Sequence, residues 1–357
     1  MKARTLGVVI LLAVALGIYL GIVRGLLFGT TLPEETSMGA LIPSDAMYYV
    51  QMASDFSLEE ILAFGYYNIL GPVSLIKLMG LNLDLIFLIY VVGFVIALRE
   101  LGHHAGVRPA MFGFLLLANP LVLINLVSPN KEITAVLAVL FIIVYINSGR
   151  FSHASAGIGF AIISKFEVLA LLLFFLGARK LWPEKRAILV GALLVLVSLF
   201  YGLIAELGGR DQVLIQGQVE GSVGLVVALH DLAREYYLFM VVAVPRLVIG
   251  VMEGSIVLLR GDPGDLILTV PIAWSGIMFA AIGLSVVRKT TLRLHDDAVL
   301  LFFLLMLMVA LVPFPQHRYL LPTYPLLLYF MLRRLPSREA AVASLNARRD
   351  ELPRVRV

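Results

Sequence analysis

The sequence predicts an all-α bundle embedded in lipid, and three observations carry that expectation. Sixty per cent of the 357 residues are apolar and only 15% are charged, against about half and about a quarter in soluble domains. Mean hydropathy is +0.96. Several uninterrupted apolar stretches also reach the roughly 17 to 25 residues that cross a hydrocarbon core of about 30 Å, where backbone polar groups must pair inside their own helix. These features exclude a soluble globular domain and predict a polytopic membrane helical bundle of about ten spans.

The chain has no cysteine, which removes a disulfide framework, a thiolate metal site and a cysteine nucleophile. The first apolar stretch, 6–28, follows Lys2 and Arg4 and is too long for the apolar region of a signal peptide, so it is expected to be an uncleaved first span. Formal charge is +4, but in a membrane protein the position of the charge matters more than its sum. Most Lys and Arg residues fall in a few clusters: Lys2/Arg4, Arg99/Arg108, Arg150, Arg179 to Arg186, Arg288 to Arg293, and the tail from Arg333.

Placing those clusters in the cytoplasm satisfies the positive-inside rule. It predicts outward spans at 6–28, 110–127, 187–204 and 298–312, and inward spans at 83–98, 133–146, 266–287 and 319–332. Segment 154–178 is bounded by basic residues at both ends and interrupted by Lys165, Phe166 and Glu167, which predicts a hairpin of two short helices with Lys165 at its outer tip. Segments 29–82 and 205–265 remain outside and mix aromatic, charged and apolar residues, the signature of juxtamembrane helices in the interface. Within the second, 236–259 is interrupted by Pro245, Arg246 and Glu253. Residues 1–335 thus form one integral membrane domain, and 336–357 a basic cytoplasmic tail. The lack of an internal repeat weighs against an inverted-repeat transporter.

Ionisable residues at membrane depth are costly and point to a cavity or a site. With this topology Asp45, Asp55, Lys131, Glu132, Lys165, Glu167, His317 and Arg318 all come to the outer face from four separated segments. Each has an ordinary reading as well. Asp45 follows Pro43 and Ser44 as an N-terminal helix charge, Lys131 and Glu132 can cap a turn, Lys165 can snorkel, and Arg318 beside His317 can meet lipid phosphates. His103 and His104 are expected as a solvated pair in a cytoplasmic loop.

The order of these residues resembles the GT-C superfamily of membrane glycosyltransferases, which take sugars from polyprenyl-linked donors. Asp45, Tyr48, Tyr49 and Ala53 are similar to an Asp-x-x-Tyr-Tyr-x-x-x-Ala pattern in the first outer loop. Gly71-Pro72-Val73 resembles the start of a juxtamembrane helix, and Asn119-Pro120 followed by Lys131-Glu132 the polar turn between two spans. Ile163-Ser164-Lys165-Phe166 resembles a Ser/Thr-Lys hairpin, and Arg318-Tyr319 with Pro322 and Pro325 the opening of a final helix. The acidic doublet usual in the first loop is reduced here to Asp45 and Ala46, and no large soluble domain follows the spans.

The resemblance implies Asp45 as the catalytic base, and Lys165, Arg318, Lys131 and His317 as donors to the phosphate of a polyprenyl-phosphate-linked sugar. It implies Tyr48, Tyr49, Glu132 and Tyr319 as substrate-binding residues; interfacial tyrosines and structural pairing of Glu132 are the ordinary alternatives. It further implies a cell-envelope glycan or lipid as acceptor and a bacterial inner membrane, with the active face expected on the outer or periplasmic side. Neither a nucleic-acid partner nor a cofactor is called for. A divalent cation on Asp45, Asp55 or Glu132 is chemically possible, yet no metal site is indicated by spacing. Two other readings remain: a polysaccharide polymerase using polyprenyl-diphosphate-linked oligosaccharides, and a transporter or flippase.

Overall fold

The computed structural model describes residues 3–23, 44–63, 67–181, 183–207, 223–260, 266–289, 296–312 and 317–333. Among the described residues every regular element is helical. Helix α1 (Ala3–Ile18) continues into a π-turn, Tyr19–Val23, from which the Tyr19 hydroxyl donates to Asp84 at 2.6 Å. Short helices follow: α2 (Ser44–Asp55), α3 (Leu58–Ala63) and α4 (Tyr67–Leu78). A reciprocal capping box starts α3, because the Ser57 amide donates to Glu60 at 2.7 Å while the Glu60 amide donates to the Ser57 hydroxyl at 3.2 Å.

Helix α5 (Leu83–His104) is capped by Asn82. The stretch expected as one span at 110–127 is instead two helices, α6 (Pro109–Leu117) and α7 (Pro120–Leu126), bent by 88°. The break has a local cause. Pro120 excludes helical geometry from Asn119, whose side chain turns to cap the Leu121 amide at 3.0 Å. Helix α8 (Lys131–Ser148) begins on an Asn130 cap and ends on Gly149 in the left-handed region, φ 67°. The 154–178 segment is two helices, α9 (Phe151–Ile162) and α10 (Phe166–Ala178), parted at Ile163 to Lys165; Phe166 and Glu167, expected in the break, begin α10.

The remaining helices are α11 (Pro183–Leu207), α12 (Val223–Glu235), α13 (Phe239–Arg260), α14 (Leu266–Lys289) and α15 (Asp297–Ala310). A 3-10 segment, His317–Thr323, then leads into α16 (Tyr324–Leu332). Much of the chain is packed around α8. Every residue from Ile133 to Val144 is buried, and a helix apolar on all sides belongs at a centre. Helices α5, α9 and α16 and the 3-10 segment all pack against it.

With 18 residues, α8 is about 27 Å long, and its polar residues sit at its ends. The end opposite Lys131 carries a second charged group. Asp297 receives Arg179 at 2.5 Å and Arg186 at 2.7 Å, Arg333 pairs with Asp296, and Tyr329 donates to Asn147 at 3.0 Å. His103 and His104 belong to the last turn of α5 and not to a loop. His103 is exposed, while His104 lies 3.4 Å from Glu100 and His153 of α9 lies 3.6 Å from the same carboxylate oxygen.

Among the described residues four helices are long and apolar enough to cross a membrane, Leu83–His104, Lys131–Ser148, Lys185–Leu203 and Thr269–Arg288, or five if the bent α6–α7 pair counts as one. That is fewer than the expected ten. Other apolar helical stretches have 10 to 17 residues, and the break at Ile163 to Lys165 ends two of them, α9 and α10, short of a full crossing length. The basic tail at 336–357 lies outside the described residues.

Helix α13, expected as an interfacial helix, packs lengthwise on α14. Contact is close at Gly276, where an added Cβ would overlap the Val251 carbonyl oxygen, the kind of small-residue seam that membrane helices use. Gly276→Ala is therefore expected to destabilise the protein by about 1 to 3 kcal/mol, read as a lower unfolding midpoint in detergent. Gly159→Ala meets nothing within 4 Å and serves as the control; an equal loss in both variants would contradict the seam.

Candidate functional site

The candidate site lies at the Lys131 end of α8 and is assembled from four segments distant in sequence. The Asn130 side chain accepts from the Glu132 amide at 3.2 Å, which fixes the start of α8 and brings Lys131 and Glu132 into its first turn. The α9–α10 turn returns to this level. Its Ser164 hydroxyl donates to the Lys131 carbonyl at 2.8 Å. Gly71 of α4 presses on the same turn, with room for no Cβ: one would stand 2.7 Å from the Ser164 carbonyl oxygen. Lys165 follows, in extended geometry as the N-cap of α10.

Asp45 enters from the first turn of α2 and Arg318 from the 3-10 segment. Arg318 donates to Asp45 Oδ2 at 2.9 Å, the Tyr49 hydroxyl donates to the same oxygen at 3.4 Å, and the Lys131 ammonium stands 4.0 Å from it. The contacts of Asp45 among the described residues thus fall on Oδ2. They orient the carboxylate through that oxygen.

Lys165 is the deeper cation, 8% exposed. Its ammonium lies 3.9 Å from Glu132 Oε1 and 4.9 Å from the centre of the Tyr319 ring. Burial pushes this ammonium below the usual lysine range, and neighbouring Glu132 partly restores it. Arg318 lies over the other contact of Tyr319, 5.4 Å from the ring centre, so the one aromatic ring holds both cations by its π-face. Burial, then the charge of Asp45, raises the Tyr49 phenol, which keeps it protonated and able to donate.

Glu132 is fully buried, yet neither of its carboxylate oxygens has a hydrogen-bond partner. Buried acceptors in this condition are expensive unless a ligand supplies donors. Lys131, Lys165 and Arg318 stand against Asp45 and Glu132, and Glu167 also acts on Lys165, so cations and carboxylates balance in number. The arrangement suits an anionic group beside hydroxyl donors.

Other sequence-predicted residues fall elsewhere. Tyr48 is 41% exposed beside the buried Tyr49. Asp55 is exposed at the far end of α2 and accepts from the Ser54 hydroxyl at 2.5 Å. His317 is buried, with Nε2 2.7 Å from the Ser275 hydroxyl and Nδ1 3.2 Å from the Gly250 carbonyl. A carbonyl only accepts, so Nδ1 carries the proton, and both ring nitrogens are engaged by α13 and α14 rather than by the charged group around Arg318.

Sequence reasoning missed the supporting residues Asn130, Ser164 and Lys77, whose ammonium donates to the Ala53 carbonyl at 2.6 Å and ties α4 to the end of α2. Asn130 had a readable signal as a helix cap before Lys131, Ser164 stood in the Ser-Lys pair of the hairpin without a role of its own, and Lys77 had no signal. Among the described residues no group of three or more His, Asp or Glu side chains is placed to hold a metal. The chain matches no protein-family model, no curated protein and no solved structure.

Proposed function

We propose that the protein is a membrane glycosyltransferase of GT-C type, moving a sugar from a polyprenyl-phosphate-linked donor to a glycan or lipid acceptor. The observation that supports this reading is the gathering of Asp45, Lys131 and Arg318 with the Lys165–Glu132 pair at one end of α8. A carboxylate beside several cations is what transfer from a lipid phosphate requires. A transporter would need its charges near the middle of the membrane, whereas these gather at a helix end.

Asp45 Oδ1 takes the proton of the acceptor hydroxyl. The acceptor oxygen bonds to the anomeric carbon as the bond from that carbon to the phosphate oxygen breaks, which inverts the configuration. The departing lipid phosphate gains negative charge, and Arg318, Lys165 and Lys131 stabilise it in surroundings of low dielectric. Arg318 offers a planar fork and Lys165 a compact point charge. Glu132 accepts hydroxyls of the bound sugar, and Tyr49 and Tyr319 supply ring faces. The chain crosses the membrane about ten times by short and broken helices together, with this site on the outer face of a bacterial inner membrane.

Asp45→Asn keeps the shape of the side chain and removes its basicity. Turnover of a polyprenyl-phosphate sugar is expected to fall by about 10² to 10⁴-fold with donor binding kept, whereas Asp55→Asn leaves it near normal. Full turnover in Asp45→Asn together with collapse in Glu132→Gln would move the base to Glu132. Lys165→Ala and Arg318→Ala are expected to weaken donor binding; unchanged affinity in both removes them from the phosphate site.

The topology is tested on the cysteine-free background. Single cysteines replace Leu78 and Phe151, which are 79% and 75% exposed and lie toward opposite ends of α8. A membrane-impermeant thiol reagent applied from outside is expected to label position 78 and spare position 151 in intact cells. Labelling of both, or of 151 alone, overturns the assigned faces.

A further inference from the structure

Arg246 of α13 has no exposed surface, yet its contacts are with neutral oxygens. Nη1 donates to the Tyr201 hydroxyl at 2.7 Å and to the Ala310 carbonyl at 3.3 Å, and Nη2 donates to the Leu229 carbonyl at 3.3 Å. Nε is buried without a hydrogen-bond partner. Arg179, Arg186, Arg318 and Arg333 each face a carboxylate; among the described residues no carboxylate stands within ion-pair distance of Arg246. A guanidinium does not give up its proton in a protein. Buried from water, it needs an anion to offset its lost hydration.

The surroundings indicate which anion. The Tyr201 ring lies 4.9 Å from the guanidinium, and its hydroxyl is 3.0 Å from His230 Nδ1 on α12. A planar fork with a hydroxyl and an imidazole around it matches the oxygens of a phosphate group. Outside this centre α11 and α13 expose apolar side chains, including Leu199, Leu203, Val244 and Val248, a surface for hydrocarbon chains. The centre also lies toward the same end of the bundle as the candidate site. Ala310 is at the opposite end of α15 from Asp297, and Gly250, one helical turn beyond Arg246, accepts from the neighbour of Arg318.

We propose that Arg246, Tyr201 and His230 form a second anion site, which takes the phosphate group of a membrane lipid whose chains lie along α11 and α13. In the unliganded protein the Leu229 and Ala310 carbonyls occupy the places of phosphate oxygens, and α12 covers the guanidinium. Lipid entry shifts α12 and exchanges those carbonyls for a charged partner. This site does not depend on the transfer reaction, since it is defined by binding alone.

Full-length protein is placed in nanodiscs of equal parts phosphatidylglycerol and phosphatidylcholine, re-extracted in detergent, and its retained lipid counted by native mass spectrometry. Wild type is expected to keep phosphatidylglycerol over phosphatidylcholine, and Arg246→Gln to lose that retention by at least about tenfold. Tyr201→Phe keeps the ring and the guanidinium, and is expected to weaken retention several-fold; it tests the site even where Arg246→Gln does not fold. Inorganic phosphate is titrated in a parallel arm, read by the unfolding midpoint. A rise in wild type that Arg246→Gln lacks, without lipid retention, would keep the anion site and reject the lipid as its source. Equal phosphatidylglycerol retention in wild type and the folded variants overturns the proposal, as does a wild type that responds to neither ligand.

Discussion

Burial of α8 along its whole middle is the constraint on which the rest of the molecule depends. From Ile133 to Val144 no side chain reaches the surface, so a charge along this stretch would lose hydration with nothing in return. Polar residues can stand only where the helix begins and ends. Lys131 and Glu132 occupy one end and Asn147 and Ser148 the other, and the helices packed around α8 bring their own charges to the same two levels. The segregation of ion pairs into two groups follows from that packing.

At the Lys131 end the charges are held by backbone as much as by each other. Ser164 anchors the α9–α10 turn to the Lys131 carbonyl, and Gly71 lets α4 reach that turn at backbone contact. Lys165 is therefore placed by a rigid turn, and its burial raises the strength of any ion pair it makes. Asp45 is held through one oxygen by Arg318 and Tyr49. Preorganised charge of this kind does not have to reorient when a reaction develops new charge, which is the physical basis for reading the end of α8 as a place of chemistry.

Glu132 and Arg246 are both sealed from water and short of partners among the described residues, and they have opposite sign. Glu132 lacks donors on both oxygens, while Arg246 has donors engaged by neutral oxygens only. They belong to different helix neighbourhoods, α8 with the α9–α10 turn, and α13 with α11 and α12. Neither can neutralise the other. Each instead calls for a ligand of complementary character, hydroxyl donors at Glu132 and an anion at Arg246.

Apolar composition and stretch length determined that this is a helical protein with membrane-crossing helices, because those properties are local and additive along the chain. The Asn82 and Asn130 caps and the Lys165 break between α9 and α10 were also readable, since capping and turn chemistry act within a few residues. How many stretches cross was not. Length along the sequence does not reveal the bend of 88° at Asn119-Pro120, nor how deep a short helix sits. Only the tertiary structure decided that Asp45 meets Arg318 across 273 residues of sequence, that His317 turns to Ser275 and Gly250, and that Arg246 is sealed between α11, α12 and α15. Side-chain pairing over such separations depends on which helix faces approach, and that is set by packing of the whole bundle rather than by any local pattern.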